Sequence, residues 1–546
     1  MKKSVFIVVS SALVLTVLAG CGATPADSVK PNENNGAQAE PAKMDPMVLR
    51  WNVSGGEPPS ADPGLATDAV SFDIITANYE GLTRYGQDGK LVNGALESYV
   101  VSPDQLKYTF KLKKDLKWSN GDPLTAHDFE FAWKRNLDPK TAAEYAYQLY
   151  YIKGAEEFNT GKGKVEDVGV KAVDDTTLEV TLKAPTPFFY ELTAFPTLFP
   201  LHKKTVEANP NWANDAKTYI GNGPFKMESW EHKDKMVLVK NDNYWDKENV
   251  KLDRIEFAMI EDDNTAHALY DSGELDWGGE PAYGMPIDLI AKVREEGKLG
   301  LKEEPGTDAV IFNTQKPPFT NKKIRQAFAY ALNRQSLIDN VVQTGVPAAY
   351  GWVPPTMSLK PEGYFKEDVA KAKQLLAEGM KELGLTKFPT VTYAYNTADK
   401  NKKVAEALQE QWRKSLGVDV KLQNSEWKVF LKDRNTGNYQ LGRYAWSADF
   451  NDPVNFLELF KDKNGGNNDA DYDNRKFREL INQSYLETDP EKRKKLLLQA
   501  ETIMMEDMPL APLNFRARPY VQNDKVKGFL FNVIGGNDFK WVTVEK

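Results

Sequence analysis

The chain has 546 residues with 41% hydrophobic and 27% charged side chains, an ordinary balance for a soluble globular protein and too much material for one core. Its net charge of -8 is modest and no basic arm or Lys/Arg stripe occurs, which argues against nucleic acid as a partner. A single cysteine, Cys21, excludes an intramolecular disulfide and a cysteine-based metal cluster.

The first element is a leader. Lys2 and Lys3 precede an apolar run from Val5 to Leu18, too short for a comfortable membrane span and suited to a secretory signal at residues 1–20. The run ends in "LAGC", where small Ala19 and Gly20 admit a peptidase and the Cys21 thiol becomes available for a diacylglyceryl group. These four residues resemble the lipobox of bacterial lipoproteins. The expected mature protein begins at Cys21, lipid-anchored on the extracytoplasmic face of the cell membrane. Residues 21–47, rich in Ala, Pro, Asn and Glu, lack the apolar side chains needed to fold. As a coil of about 25 residues they reach roughly 25 to 30 Å.

From Val48 the sequence reads as mixed α and β. "LKYTFKLKKDLKW" (106–118) and "TTLEVTLKAP" (176–185) alternate in the manner of half-buried strands. Between them "SNGDP" (119–123) predicts a turn, and Thr125 to Arg135 a helix with Thr125 as N-cap, Asp128 at the third position and Phe129, Ala132 and Trp133 on one face. From about residue 322 helices lengthen. In "NKKIRQAFAYALNRQSLIDNVV", Ile324, Ala327, Phe328, Ala331 and Leu332 share a face. Val404, Leu408, Trp412 and Leu416 recur every four residues before Gly417, and "VDVKLQ" then alternates as a strand. Asp489 and Pro490 open another helix as N-cap and first residue.

Local catalytic motifs are missing. The four histidines, His127, His202, His232 and His267, fall at no metal-ligand spacing, and neither a nucleophile elbow nor a phosphate loop is present. A carboxylate pair of the glycosidase kind has no local signature, so a secreted hydrolase stays as an alternative. The absence of every local catalytic motif in a tethered, exported protein favours binding over chemistry, and no cofactor and no metal are expected.

Several phrases, in order from about residue 48 to the C-terminus, resemble the oligopeptide-binding proteins that feed bacterial ABC importers, the solute-binding proteins of the peptide and nickel class known as family 5. They are "EPPSADP" (57–63), "NYEGLTRYGQDGK" (78–90), "WSNGDPLTAHDFEFAWKRNLDP" (118–139), "GNGPFKMESW" (221–230), "FNTQKPPFTNKKIRQAFAYALNR" (312–334) and "WSADFNDPVNFL" (446–457). The resemblance implies an α/β fold of the two-lobed periplasmic-binding-protein type (type II) with an extra domain inserted in the first lobe. It implies a first lobe from 48–72, 201–280 and 516–546, an extra domain at 73–200, and a second ligand-binding lobe at 281–515. The implied function is capture of short peptides between the lobes and delivery to the transmembrane subunits of an ABC permease, by a monomer that performs no chemistry. A nickel chelate, haem or a signalling peptide is the alternative ligand within the family.

A receptor for varied peptides must hold what they share. By resemblance, Asp449 in the W-x-x-D phrase pairs with the ligand ammonium, and Arg434 and Arg443 meet its carboxylate, with Lys316 as a further candidate. Arginine suits the task because its planar fork matches a carboxylate. Trp446 and Trp427 are expected to line the cleft, and Glu57 and Tyr79 fall in phrases that approach it. Position 401, where relatives carry a carboxylate-binding histidine, is Asn401 here. From the residues alone, the expectation is that Asp449 closes the Asx-turn of "DFNDP", the tryptophans belong to the core, and the arginines sit in surface ion pairs.

Overall fold

The computed structural model describes residues 45–545, apart from 187, 358, 464, 466, 488, 522 and 532–536. Signal segment, Cys21 and the tether to residue 44 lie outside the described residues. No helix among the described residues is long and apolar enough to cross a membrane.

Three sheets organise the described chain. In the first, Val48–Asn52 lies parallel to Arg254–Ala258, followed by Lys235–Lys240 and Phe225–Glu231 as antiparallel neighbours. Its inward side chains include Trp51, 1% exposed, which packs against Trp277, Phe529 and Phe539. The aromatic cluster joins the start of the chain to its end.

The second sheet has six strands in the order Gly278–Gly279, Leu510–Val521, Leu299–Phe312, Leu441–Ser447, Val391–Asn396 and Val420–Ser425. Its two long central strands are antiparallel, and their register shifts between Glu304 and Thr307, where Pro305 and Gly306 form a bulge. Beyond it, Val310, Ile311 and Phe312 are wholly buried, as a strand covered on both faces requires. The helix Asp399–Leu416 runs between two strands of this sheet. Leu408 and Trp412 are fully buried, and Gly417 at φ +69° ends the helix in the left-handed region that glycine adopts without strain.

The third sheet is antiparallel, in the order Leu96–Val101, Lys107–Leu112, Thr177–Thr181 and Val170–Asp174. The helix Ala126–Leu137 begins after Thr125, whose backbone N–H donates to the Asp128 carboxylate at 2.8 Å. Phe129, Ala132 and Trp133 are buried against the sheet, as their spacing predicts. Asp489 likewise caps Pro490–Asp507, accepting from the N–H groups of Glu491 and Lys492.

One expectation changes. The periodic stretch after Asn321 is a helix only from Lys322 to Tyr330, although all five of its apolar residues are buried. Asn333 interrupts it by capping a second short helix, Arg334–Leu337, through its side-chain acceptance of the Ser336 N–H. Local Asn capping outweighs the continuing apolar period.

Candidate functional site

The strand Leu441–Ser447 alternates in burial, so that Arg443, Ala445 and Ser447 share one face while Tyr444 and Trp446 face the other way into packed surroundings. The chain then turns, and Asp449 is 5% exposed. Asp449 does not close the following turn. That is the work of Asp452, which accepts from the Val454 N–H at 2.9 Å and is held by Arg493 at 2.6 and 2.9 Å.

The Asp449 carboxylate instead accepts from Gln148 Nε2 at 2.8 Å, Asn455 Nδ2 at 3.1 Å and Tyr145 Oη at 3.5 Å. Asn455 also accepts from the Asp449 N–H and the Trp446 indole, so one amide locks the W-x-x-D turn. Burial pushes the Asp449 carboxyl well above the usual carboxylate range, helped by the nearby Glu458 and opposed by its hydrogen bonds. Among the described residues it has no cationic partner.

Asp449 lines a cavity of about 200 Å³ together with Trp446, Arg434, Arg443, Trp427, Glu144, Tyr145 and Asp68. A second cavity of about 220 Å³ adjoins it, sharing Val70, Trp427, Arg443, Arg516 and Arg518 and reaching Asn401, Lys400, Asp263 and Glu280. The two hollows make one groove with Asp449 near one end and Asn401 at the other. Its walls come from separate parts of the chain: residues 54–73 and 261–284, the short helix at 144–149, and the second sheet with its loops.

The cations of this groove differ in what they already hold. Arg434 lies 2.6 Å from Asp469 and over the Tyr444 ring, and that carboxylate raises its pKa against the opposing effect of burial. Arg516 reaches Glu304 and Asp308, Arg518 reaches Glu304 at 2.8 Å, and Lys400 lies 3.9 Å from Glu280. Glu304 is held well below the usual carboxylate range: burial opposes this, and the two arginines overcome it. Arg443 forms no ion pair among the described residues. Its hydrogen bond goes to Asn396 Oδ1 at 3.3 Å, and burial lowers its pKa while Asp308 attracts and Arg516 repels it.

The groove therefore contains an unpaired carboxylate near one end and an unpaired guanidinium shared by its two halves. Leaving buried charges unpaired is costly, and a ligand carrying one ammonium and one carboxylate answers both. The far wall is acidic: burial and the neighbouring Glu280, Asp262 and Asp399 push Asp263 up to about 7, although it accepts from the Gly284 N–H.

Trp427 opens the helix Trp427–Asn435 and stands half-buried where the two cavities meet. Asn401 lines the second cavity with its amide turned to Asn396. Three other candidates line neither cavity. Glu57 is engaged by His232. Tyr79 is 1% exposed and donates to the Ile220 carbonyl at 2.9 Å, packed edge-on to Tyr219 in the core. Lys316 follows a turn beside Asp471. Among the described residues no group of His, Cys, Asp or Glu is arranged to hold a metal ion.

Sequence reasoning missed Gln148, Tyr145, Arg516 and Arg518. The arginines had a readable sign, since "FRARP" places two cations on the same face of a strand. Gln148 and Tyr145 had none, lying in a short 3-10 segment without apolar period.

Residues 90–468 match the family described as bacterial extracellular solute-binding proteins, family 5. The chain is 46% identical over 538 residues to the oligopeptide-binding protein OppA of Bacillus subtilis, covering 97% of each. It superposes on Listeria monocytogenes OppA bound to peptide with a TM-score of 0.86 at 33% identity, covering 92% of this chain and 100% of that one. The Escherichia coli murein tripeptide binding protein MppA gives 0.86 at 30% identity over 92% of this chain and 99% of that one, and the unliganded open form of MppA gives 0.62 over 92% and 98%. The architecture is thus the two-lobed type II fold, in an arrangement nearer the peptide-bound relative than the open one.

Proposed function

The chain belongs to the bacterial extracellular solute-binding proteins of family 5, which are binding proteins and not enzymes, and from that membership we propose that it captures short peptides in the groove between its lobes. The observation that carries this reading is Asp449, buried, hydrogen-bonded from three sides and without a cationic partner among the described residues. A peptide's ammonium supplies the missing charge. Its carboxylate goes to Arg443, the cation of the groove that holds no carboxylate among the described residues. Arg434, already neutralised by Asp469, shapes the cavity around Trp446. Trp427 contacts the peptide between its ends.

The lobes take the division read from the sequence: 48–72, 201–280 and 516–546 in the first, 73–200 as the inserted domain, and 281–515 in the second. On that division Leu510–Val521 runs from the second lobe into the first, paired with Leu299–Phe312 past its Glu304 bulge, a geometry suited to hinge closure. In this reading the mature protein is a monomer tethered through lipidated Cys21, and it hands peptides to an ABC permease. Direct nickel ligation has little support, since imidazole is the usual nickel ligand and no histidine lines either cavity.

The test is calorimetric. The full-length protein in detergent is unfolded to strip bound ligand, refolded, and titrated with pooled tri- to pentapeptides and with the same peptides N-acetylated. Acetylation should cost on the order of 2 to 5 kcal/mol. Equal binding of both pools refutes the role of Asp449, and binding of neither refutes peptide capture.

A further inference from the structure

Arg443 is the exposed weak point of the proposed groove. It is flanked by Arg516 and Arg434, whose charges repel it, and its hydrogen bond to Asn396 among the described residues is 3.3 Å long. A long side chain in that situation has several rotamers and an electrostatic reason to leave the one seen. What opposes this is the attraction of Asp308 together with the hydrogen bond to the Asn396 side-chain oxygen.

Asn396 ends the strand Val391–Asn396, next to the strand that carries Arg443. Its Oδ1 accepts twice: from Arg443 Nη1 at 3.3 Å and from Asn401 Nδ2 at 3.0 Å. Asn401, in the first turn of Asp399–Leu416, also donates the same Nδ2 to the Asn396 backbone carbonyl at 3.2 Å. The second donor decides which way round the Asn396 amide lies. Rotated by half a turn, its NH₂ would face the donors of both Asn401 and Arg443 and satisfy neither. With Asn401 in place, the oxygen is fixed toward the guanidinium.

We infer that Asn401 is a positioning residue for peptide carboxylate recognition: it acts through Asn396 to hold Arg443 in the groove. Asn401 lines the second cavity, but the donor it would offer a ligand is already given to Asn396. Selectivity for a free peptide carboxylate therefore depends on a residue three hydrogen bonds away from it. This rests on the assignment of Arg443 to the carboxylate, proposed above.

The test compares alanine tri-, tetra- and pentapeptides ending in a carboxylate with the same peptides ending in a carboxamide, titrated into the full-length protein in detergent. Wild type is expected to prefer the carboxylate. Asn401→Ala should weaken carboxylate peptides by about 2- to 12-fold, the range of one neutral hydrogen bond, and leave carboxamide peptides unchanged. Asn401→Leu, which keeps the volume and removes the donor, should do the same. Asn396→Ala should lose at least as much, and the double variant Asn396→Ala/Asn401→Ala no more than Asn396→Ala alone. Equal weakening of both peptide sets by Asn401→Ala and Asn401→Leu, or no weakening of either, overturns the inference, as does additivity in the double variant. If wild type ignores the carboxamide change yet still rejects N-acetylated peptides, the Arg443 assignment fails and the inference with it, while Asp449 keeps its role.

Discussion

Gln148 Nε2 donates to Asp449 Oδ2 at 2.8 Å across a sequence separation of 301 residues. The donor belongs to the short helix Glu144–Leu149, the acceptor to the turn that follows Leu441–Ser447. A hydrogen bond to a charged group contributes about 1.5 to 3 kcal/mol, and this one exists only while the two regions are together. Gln148→Ala should therefore weaken peptide binding by about 10- to 150-fold. The ligand-free melting temperature should stay close to wild type. Calorimetry and thermal melts on one preparation separate the two, and a large loss of ligand-free stability would contradict this account.

Asp449→Asn probes the ammonium site itself. The substitution removes the charge but preserves the shape that Gln148 and Asn455 surround. Peptide affinity should fall by on the order of 2 to 5 kcal/mol, and saturating peptide should no longer raise the melting temperature. Since burial already pushes this carboxyl well up, the ligand-free protein should be no less stable than wild type. A fall in its unfolding free energy would show the charge to be structural.

A pH dependence follows from Glu458. Its carboxyl accepts from Tyr151 Oη at 2.6 Å and Tyr485 Oη at 2.8 Å, and burial pushes it up to about 7, with Lys461 opposing and Asp452 reinforcing the shift. A folded-state pKa above the unfolded value means that the folded protein holds this proton more tightly. The corresponding stability is complete below about pH 4 and lost as pH rises through about 7. Relative to Glu458→Gln, wild type should lose on the order of 3 kcal/mol between pH 4.5 and 7.5. Urea titrations of both proteins at three pH values measure it, and a pH-independent difference would refute it.

The proposed lipid anchor is checked through Cys21. Cys21→Ser should abolish incorporation of a labelled fatty acid and shift the protein on phase partition from the detergent to the aqueous phase. Retained label would place the acyl chain elsewhere.

Much of the scaffold was legible because it rests on local chemistry. Thr125, Asp489 and Gly417 act at helix ends through their own backbone and side-chain atoms, so their sequence neighbourhood is enough to read them. The strand alternation at 107–112 and 177–181 is likewise visible because one face of each is buried. The apolar period after Asn321 runs past the end of the helix at Tyr330, because capping by Asn333 competes with it within one segment and prevails. In the groove the limits were different. Whether an arginine is free depends on whether a carboxylate reaches it, and Asp469 beside Arg434 or Glu304 beside Arg518 cannot be paired off from spacing. Tyr79 shows the converse: a residue in a resembling phrase, yet buried in aromatic packing away from the cavities.

If the chain hands peptides to a permease as proposed, the bare carboxylate at Asp449 bears on how that permease tells a loaded receptor from an idle one. Shutting the lobes on nothing strands that charge, or forces it to take up a proton, so the shut shape is penalised when no ammonium is inside. Every 1.4 kcal/mol or so of such penalty lowers the shut fraction of an idle receptor by about tenfold. The shut outline then serves as a certificate of occupancy, and a permease that engages only that outline would seldom hydrolyse ATP without cargo.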